Sequence, residues 1–214
     1  MSTSKKFITN VFKPEEGYDL WAKHYDGDKN EKLAFLNTFD ESVIFKMIGD
    51  IENKKILDLG CGTGRLFKGL MRKEADLYGA DISQEMLNVA SKKYSKVKFV
   101  KASAYDLPFT DDQFDIVVCA FLIVHLNDLE KAFSEVYRVL KPNGVFILTN
   151  INQRKAPKLT LNSKEEIVIK SFYHRPEDVI KALEDVFFEI EDEDYVNSEN
   201  GNVWINQIIK AVKK

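Results

Sequence analysis

Ten consecutive residues, Ile56 to Arg65 (ILDLGCGTGR), hold the densest chemical pattern in this 214-residue chain. Gly60, Gly62 and Gly64 let the main chain turn in ways closed to other residues and let a ligand approach it. A helix starting directly after them offers unpaired amides and a positive dipole end to an anionic group. Spacing separates the ligand classes that use such loops. A triphosphate loop needs Gly-x-x-x-x-Gly-Lys-Ser/Thr, and no Lys follows the last glycine here. A dinucleotide fingerprint needs Gly-x-Gly-x-x-Gly, but counted from Gly60 its third glycine position is Arg65. What remains is Gly-x-Gly-x-Gly preceded by Leu-Asp-Leu. A second chemical candidate is His125, just past the apolar run Ile116 to Val124, where ligands collect in open α/β sheets. His24, His174 beside Tyr173, and the two cysteines Cys61 and Cys119 complete the inventory.

The elements that must position these residues follow from the apolar pattern. KKILDLG (54–60), ADLYGAD (75–81), VKFVKA (97–102), FDIVVCA (114–120) and GVFILTN (144–150) predict strands, with helices between them. Leu129, Ala132, Phe133, Val136, Tyr137 and Leu140 recur at helical spacing, so 128–140 is expected to be a helix. Asn127 is placed to cap it with Glu130 in a capping box, and Lys-Pro-Asn-Gly (141–144) to stop it. Ile44, Met47, Ile48 and Ile51 form another helical stripe, so residues 1–53 read as a helical lead-in. Residues 151–175 turn polar, apart from Ile167 to Ile169 and the pair Phe172 and Tyr173. Pro176 opens a helix with Val179, Ile180, Leu183, Val186 and Phe187 apolar. The strand-like runs 187–196 and 202–212 meet through Asn197 to Gly201 as an antiparallel hairpin.

Composition bounds the partners. A formal charge of −3 with 30% charged residues lacks the basic excess of a protein that grips long nucleic acid, leaving the Lys and Arg of 152–158 as the one basic stretch. The nine-residue run ending at Val124 falls short of the ~20 apolar residues a membrane helix needs. The N-terminal residues show no secretory h-region, and two cysteines are too few for a disulfide scaffold or a structural zinc site; a cytoplasmic, metal-free protein is expected.

With these residues in place, the chain resembles the class I S-adenosylmethionine-dependent methyltransferases, in the branch that holds small-molecule methylases of the ubiquinone/menaquinone type. The resemblance covers about residues 18–150 well, and L-D-L-G-C-G-T-G matches that family's first motif. It implies one α/β domain, a Rossmann-like doubly wound sheet of seven mostly parallel strands with an antiparallel last strand and helices on both faces. Within it, 1–53 would be lid and lead-in, 54–150 the cofactor core, 151–175 a variable substrate cap and 176–214 the closing helix and hairpin.

The resemblance also assigns residues to S-adenosylmethionine and its product S-adenosylhomocysteine. Gly60, Cys61, Gly62, Gly64 and Arg65 belong to the first loop. Asp81, 21 residues after Gly60, would take the ribose hydroxyls beside Ile82. SAYDLPF (103–109) resembles the family's adenine-holding segment, with Ser103 where an Asp is usual, so Ser103 or Asp106 and the amides of Ala104 and Tyr105 are the candidate contacts. Cys119 and Ala120 would line the methionine end. YDLWAKHYD (18–26), with Tyr-Asp twice seven residues apart, resembles a lid that brings Tyr18 and Tyr25 to the cofactor; packing of an amphipathic helix is the alternative.

Methyl transfer is an in-line displacement that needs a base only when the nucleophile carries a proton at neutral pH. His125 is the candidate base or substrate contact, with Tyr173 and His174 as further substrate-facing candidates. The acceptor is expected to be a small molecule presenting an oxygen, nitrogen or carbon nucleophile. A non-catalytic cofactor-binding module, an RNA methylase and a nicotinamide enzyme are the competing readings.

Overall fold

The computed structural model describes residues 10–26, 31–72, 74–161, 163, 165–198, 200–201 and 203–214, and the backbone alone for 31–39. Its main sheet has seven strands: β2 (Lys55–Leu59), β3 (Asp76–Asp81), β4 (Lys98–Lys101), β5 (Phe114–Cys119), β6 (Leu140–Ile151), β9 (Phe188–Asn197) and β10 (Trp204–Lys213). They lie in the order β4-β3-β2-β5-β6-β10-β9. β2, β3, β4, β5 and β6 pair in parallel, whereas β10 runs antiparallel to both β6 and β9. The chain winds outward from β2 to β4 and then returns to the other side of β2 with β5. The switch point, where open α/β sheets bind ligands, therefore falls between β2 and β5, directly beneath the glycine loop.

The central strands are apolar throughout because both of their faces are buried. Ile56, Ile116, Ile147 and Ile208 face α2 (Glu31–Ile48) with its Ile44, Met47 and Ile48, and α3 (Phe67–Leu70) with its Phe67 and Leu70. α4 (Gln84–Lys93) packs its Leu87 on that same face. Leu57, Val117, Leu148 and Ile209 face α5 (Leu129–Val139) and α6 (Pro176–Asp185) through Leu129, Phe133, Val136, Val179 and Leu183. Each such side chain taken fully out of water contributes about 1.5–3 kcal/mol, so the two layers carry most of the stability.

α5 ends at Val139, and residues 140–144, expected as its end and the turn that stops it, belong to β6. Local structure departs from the sequence expectation at three further places. Asp128, not Asn127, caps α5, accepting from the Lys131 amide at 3.0 Å, because the Asn127 side chain is taken by the Tyr105 hydroxyl at 3.0 Å. Phe187 does not join the apolar face of α6: its amide closes on the Glu184 carbonyl and its backbone turns left-handed at φ 70°, which leaves the ring 77% exposed. The third departure is a second, three-stranded sheet in the order β1-β8-β7, from β1 (Asn10–Phe12), β7 (Lys158–Thr160) and β8 (Glu166–Ile169).

The small sheet joins the N-terminal segment to residues 151–175. Trp21 of α1 (Pro14–Tyr25) packs on Leu159, Ile167 and Ile169, flanked by Phe12, Tyr18 and Tyr25. Contact is close enough that a Cβ at Gly17 would come within 2.7 Å of the Ile169 side chain. Gly17→Val is predicted to lower stability by about 1–3 kcal/mol through overpacking at this seam. Denaturant unfolding measures it; an unchanged midpoint would mean that α1 does not seat tightly on β8.

Candidate active site

The C-terminal ends of β2, β3 and β5 open into a cavity of about 340 Å³, covered by α1 and by Lys13, Lys170 and Phe172 beside the small sheet. At its floor the Gly60 and Cys61 amides both donate to the Ala80 carbonyl, at 2.7 and 3.1 Å, which folds the loop back over β3. Gly60 adopts φ +74°, and a side chain there would meet Leu122 at 2.9 Å. Gly62 adopts φ +52° with nothing within 4 Å of its missing Cβ, so its main chain is open to the cavity. The Asp81 carboxylate ties this loop to the next helix, accepting from the Gly62 and Ser83 amides at 2.8 Å each. Burial pushes the Asp81 carboxyl up, against the pull of those two amides.

α1 covers the cavity as a pinned plate. Its repeated Tyr-Asp pairs stand two helical turns apart, so both tyrosines share one face and both aspartates a neighbouring one. Tyr18 and Tyr25 line the cavity. Asp19 accepts from the Ser83 hydroxyl at 2.6 Å and the Glu85 amide at 3.1 Å, and Asp26 from the Thr63 hydroxyl at 2.7 Å. Glu15 pairs with Lys101 at 2.8 Å, and Asp26 with Lys93 at 3.0 Å.

Opposite α1, a short 3-10 turn (Ile123–His125) carries His125 onto the wall. His125 Nδ1 lies 2.9 Å from the Lys170 carbonyl, which can only accept, so Nδ1 carries the proton. Nε2 then accepts from the Tyr18 hydroxyl at 2.8 Å. The two rings meet edge to face, 5.2 Å between centroids. Burial lowers the His125 pKa from its usual 6.5, only partly offset by the Lys170 carbonyl, and burial raises that of Tyr18 strongly. At neutral pH the pair is therefore an uncharged imidazole and an uncharged phenol. Residues 170–174 hold the turn in place: the Phe172 amide donates to the Val124 carbonyl at 2.7 Å, and His174 Nε2 to those of Ile123 and Leu126 at 3.0 Å.

Of the residues singled out in the sequence, Tyr18, Tyr25, Gly60, Gly62, Asp81, Ile82, Ser103, Ala104, Tyr105, Ala120 and His125 share this one cavity. The others do not line it. Cys119 ends β5 facing the core with Leu148, and strand alternation gives the wall to Ala120 instead. Cys61 is buried on the opposite face beside Gly79, and burial raises both thiols well above their ordinary range. Gly64 packs against the Tyr94 and Phe67 rings. Arg65 turns away toward α2, gripping Asp40 at 3.0 and 3.2 Å and Glu41 at 3.4 Å, with its guanidinium 5.0 Å over the Phe121 ring. Asp106 lies off the wall, as does Tyr173, whose ring is covered by Arg154 at 4.4 Å. His174 spends its ring on the carbonyls of the turn, which makes it a brace for His125 and not a lining residue.

Sequence reasoning missed Phe121, Leu122, Leu126, Phe172, Lys13 and Lys170, all on the wall. Phe121, Leu122 and Leu126 sit in or beside the apolar run that reads as a buried strand and its exit, whereas Phe172, Lys13 and Lys170 lie in the end segments, where no motif singles them out.

Comparisons with known proteins agree with this architecture. Residues 57–148 match the family described as a methyltransferase domain. A ubiquinone/menaquinone biosynthesis C-methyltransferase of Rickettsia prowazekii is 37% identical over 133 residues, 56% of this chain and 50% of that protein. A demethylmenaquinone methyltransferase of Lactobacillus johnsonii is 32% identical over 171 residues, 73% of this chain and 69% of that protein. The chain spans about half the length of most curated relatives it matches. In structure it is similar to PH0226 protein from Pyrococcus horikoshii, with a TM-score of 0.72 and 23% identity over 93% of this chain and 99% of that one. The chain belongs to the class I S-adenosylmethionine-dependent methyltransferases, and S-adenosylmethionine is the cofactor of its domain. Among the described residues no helix is long and apolar enough to cross a membrane.

The Arg65–Asp40 pair is buried, with the two side chains 16% and 1% exposed. Arg65→Met strands the Asp40 charge and is predicted to cost about 3–5 kcal/mol of folding stability. A loss below about 1 kcal/mol in urea unfolding would show that the pair is not what anchors α2.

Proposed function

We propose that this protein transfers a methyl group from S-adenosylmethionine to a small-molecule acceptor whose nucleophile carries a proton at neutral pH. One observation supports this most: a buried, neutral histidine with a fixed tautomer, bonded through Tyr18, on the wall of the cavity that holds the glycine loop and Asp81. The cavity fits the cofactor. Gly62 leaves open main chain where a Cβ would intrude, and the Asp81 carboxylate stands at the end of β3 for the ribose hydroxyls. Gly60, Gly62, Tyr25 and Ala120 would hold the methionine portion, and Ile82, Ser103, Ala104 and Tyr105 the adenine. When bound, S-adenosylmethionine supplies a methyl group on a sulfonium, so no nucleophile or metal of the protein is required.

The remaining work falls to the chain's own residues. α1, with Lys13, Lys170 and Phe172, covers the cavity. The acceptor proton enters the pair at Tyr18 Oη as the Tyr18 proton passes to His125 Nε2. The resulting imidazolium keeps its Nδ1–H on the Lys170 carbonyl, and its extra proton later leaves to solvent. The deprotonated acceptor would then present its lone pair to the methyl group that bound S-adenosylmethionine would supply. The cavity's enclosed, largely apolar wall and the formal charge of −3 favour a small molecule over RNA.

Calorimetric titration with S-adenosylhomocysteine and NAD, followed by labelled-methyl transfer to a cell-metabolite extract and to RNA, tests the reading. Micromolar S-adenosylhomocysteine binding with label in a small metabolite is the expected result. Preferential NAD binding, or label in RNA alone, would contradict it.

His125→Gln is predicted to lower kcat by about 10²–10⁴-fold with S-adenosylhomocysteine affinity within twofold of wild type. An unchanged kcat would remove His125 from proton transfer. Because burial lowers the His125 pKa, the neutral base persists below its usual 6.5, and the acid limb of kcat/KM is predicted to lie below that value. An acid limb above 6.5 would contradict the assignment. The same shift means that the unfolded chain takes up a proton near 6.5 before the folded one does. Stability should thus fall as pH drops from 6.5 to the folded value, and then level for this group.

A further inference from the structure

Two exposed lysines without an ion-pair partner among the described residues line the cavity. β1 and β8 run parallel with Phe12 opposite Ile169, and the Lys170 amide donates to the Phe12 carbonyl at 2.9 Å. Lys13 and Lys170 therefore leave the small sheet as neighbours, and both line the cavity. Neither has an ion-pair partner among the described residues. The two carboxylates on the same wall are already engaged, Glu15 by Lys101 at 2.8 Å and Asp81 by the Gly62 and Ser83 amides at 2.8 Å. Both lysines are exposed, and the Lys170 ammonium rests 5.1 Å over the Phe172 ring. An anion between the two lysines would gain two charge-assisted hydrogen bonds.

From the lysines toward His125 the wall is apolar, through Phe172, Leu122 and Leu126. Lys170 links the two regions: its carbonyl orients the His125 ring while its ammonium lies over the Phe172 ring. Resting on the methyl-transfer reading above, we infer that the acceptor is a small organic acid, its carboxylate held between Lys13 and Lys170 and its aromatic or unsaturated body lying on Phe172, Leu122 and Leu126. That pose points the proton-bearing nucleophile at Tyr18 and His125. Lys13 and Lys170 then select the acceptor by charge and take no part in proton transfer.

The test is calorimetric titration of protein saturated with S-adenosylhomocysteine, using matched hydroxybenzoates and hydroxybenzamides, and hydroxycinnamates and hydroxycinnamamides. At least one acid is expected to bind tenfold or more tightly than its amide. The Lys13→Met/Lys170→Met double variant is expected to lose that tenfold while binding S-adenosylhomocysteine within twofold of wild type, and each single variant to lose part of it. Amides binding as tightly as acids, acid affinity surviving in the double variant, or no acid binding to the S-adenosylhomocysteine complex would each overturn the inference. Failure of wild-type protein to bind S-adenosylhomocysteine would instead strike the methyl-transfer reading.

Discussion

The cavity is closed by one chain of hydrogen bonds, from the Tyr18 hydroxyl through the His125 ring to the Lys170 carbonyl. It joins three segments distant in sequence: the N-terminal helix, the turn after β5 and the segment after β8. Its direction is fixed from the far end, because a carbonyl only accepts; Nδ1 must hold the proton, Nε2 must accept, and Tyr18 must donate. Burial enforces the same state from the other side, since an imidazolium or a phenolate in this position is poorly solvated. Geometry and desolvation thus agree on a neutral pair, which is what a base must be before it takes a proton.

The supporting structure explains why α1 lies where it does. Its aspartates accept from the glycine loop and from the start of α4, its tyrosines face the cavity, and Trp21 seats it on the small sheet. Charge, hydrogen bonding and apolar burial therefore act on three stripes of a single 12-residue helix. α1 packs on β8 through Gly17 and Ile169, and the residue after β8, Lys170, holds the His125 ring.

Much of this was legible in the sequence where the main chain dictates the chemistry. The glycine loop and the five parallel strands announce themselves through turn requirements and through burial on both faces, and Asp81 through its spacing from Gly60 and the family resemblance. Side-chain direction was harder. Arg65 follows the loop in sequence, but its partner Asp40 stands on a helix that no spacing rule connects to it. Cys119 and Ala120 are adjacent, and only strand alternation tells which one meets the cavity. β1, β7 and β8 have three or four residues each, too short for a periodic signal, and the β1–β8 pairing joins residues more than 150 positions apart. His174 could be flagged as chemically competent, whereas its task depends on which carbonyls the fold brings to it.

Nitrogen-15 NMR of histidine-labelled protein, with His125 assigned by its absence in His125→Gln, reads the closing interaction directly. The account predicts a neutral ring protonated at Nδ1 and hydrogen-bonded at Nε2 at pH 7, still more than half neutral at pH 6.5, the usual imidazole midpoint. An Nε2–H tautomer, or an imidazolium at pH 7, would contradict it.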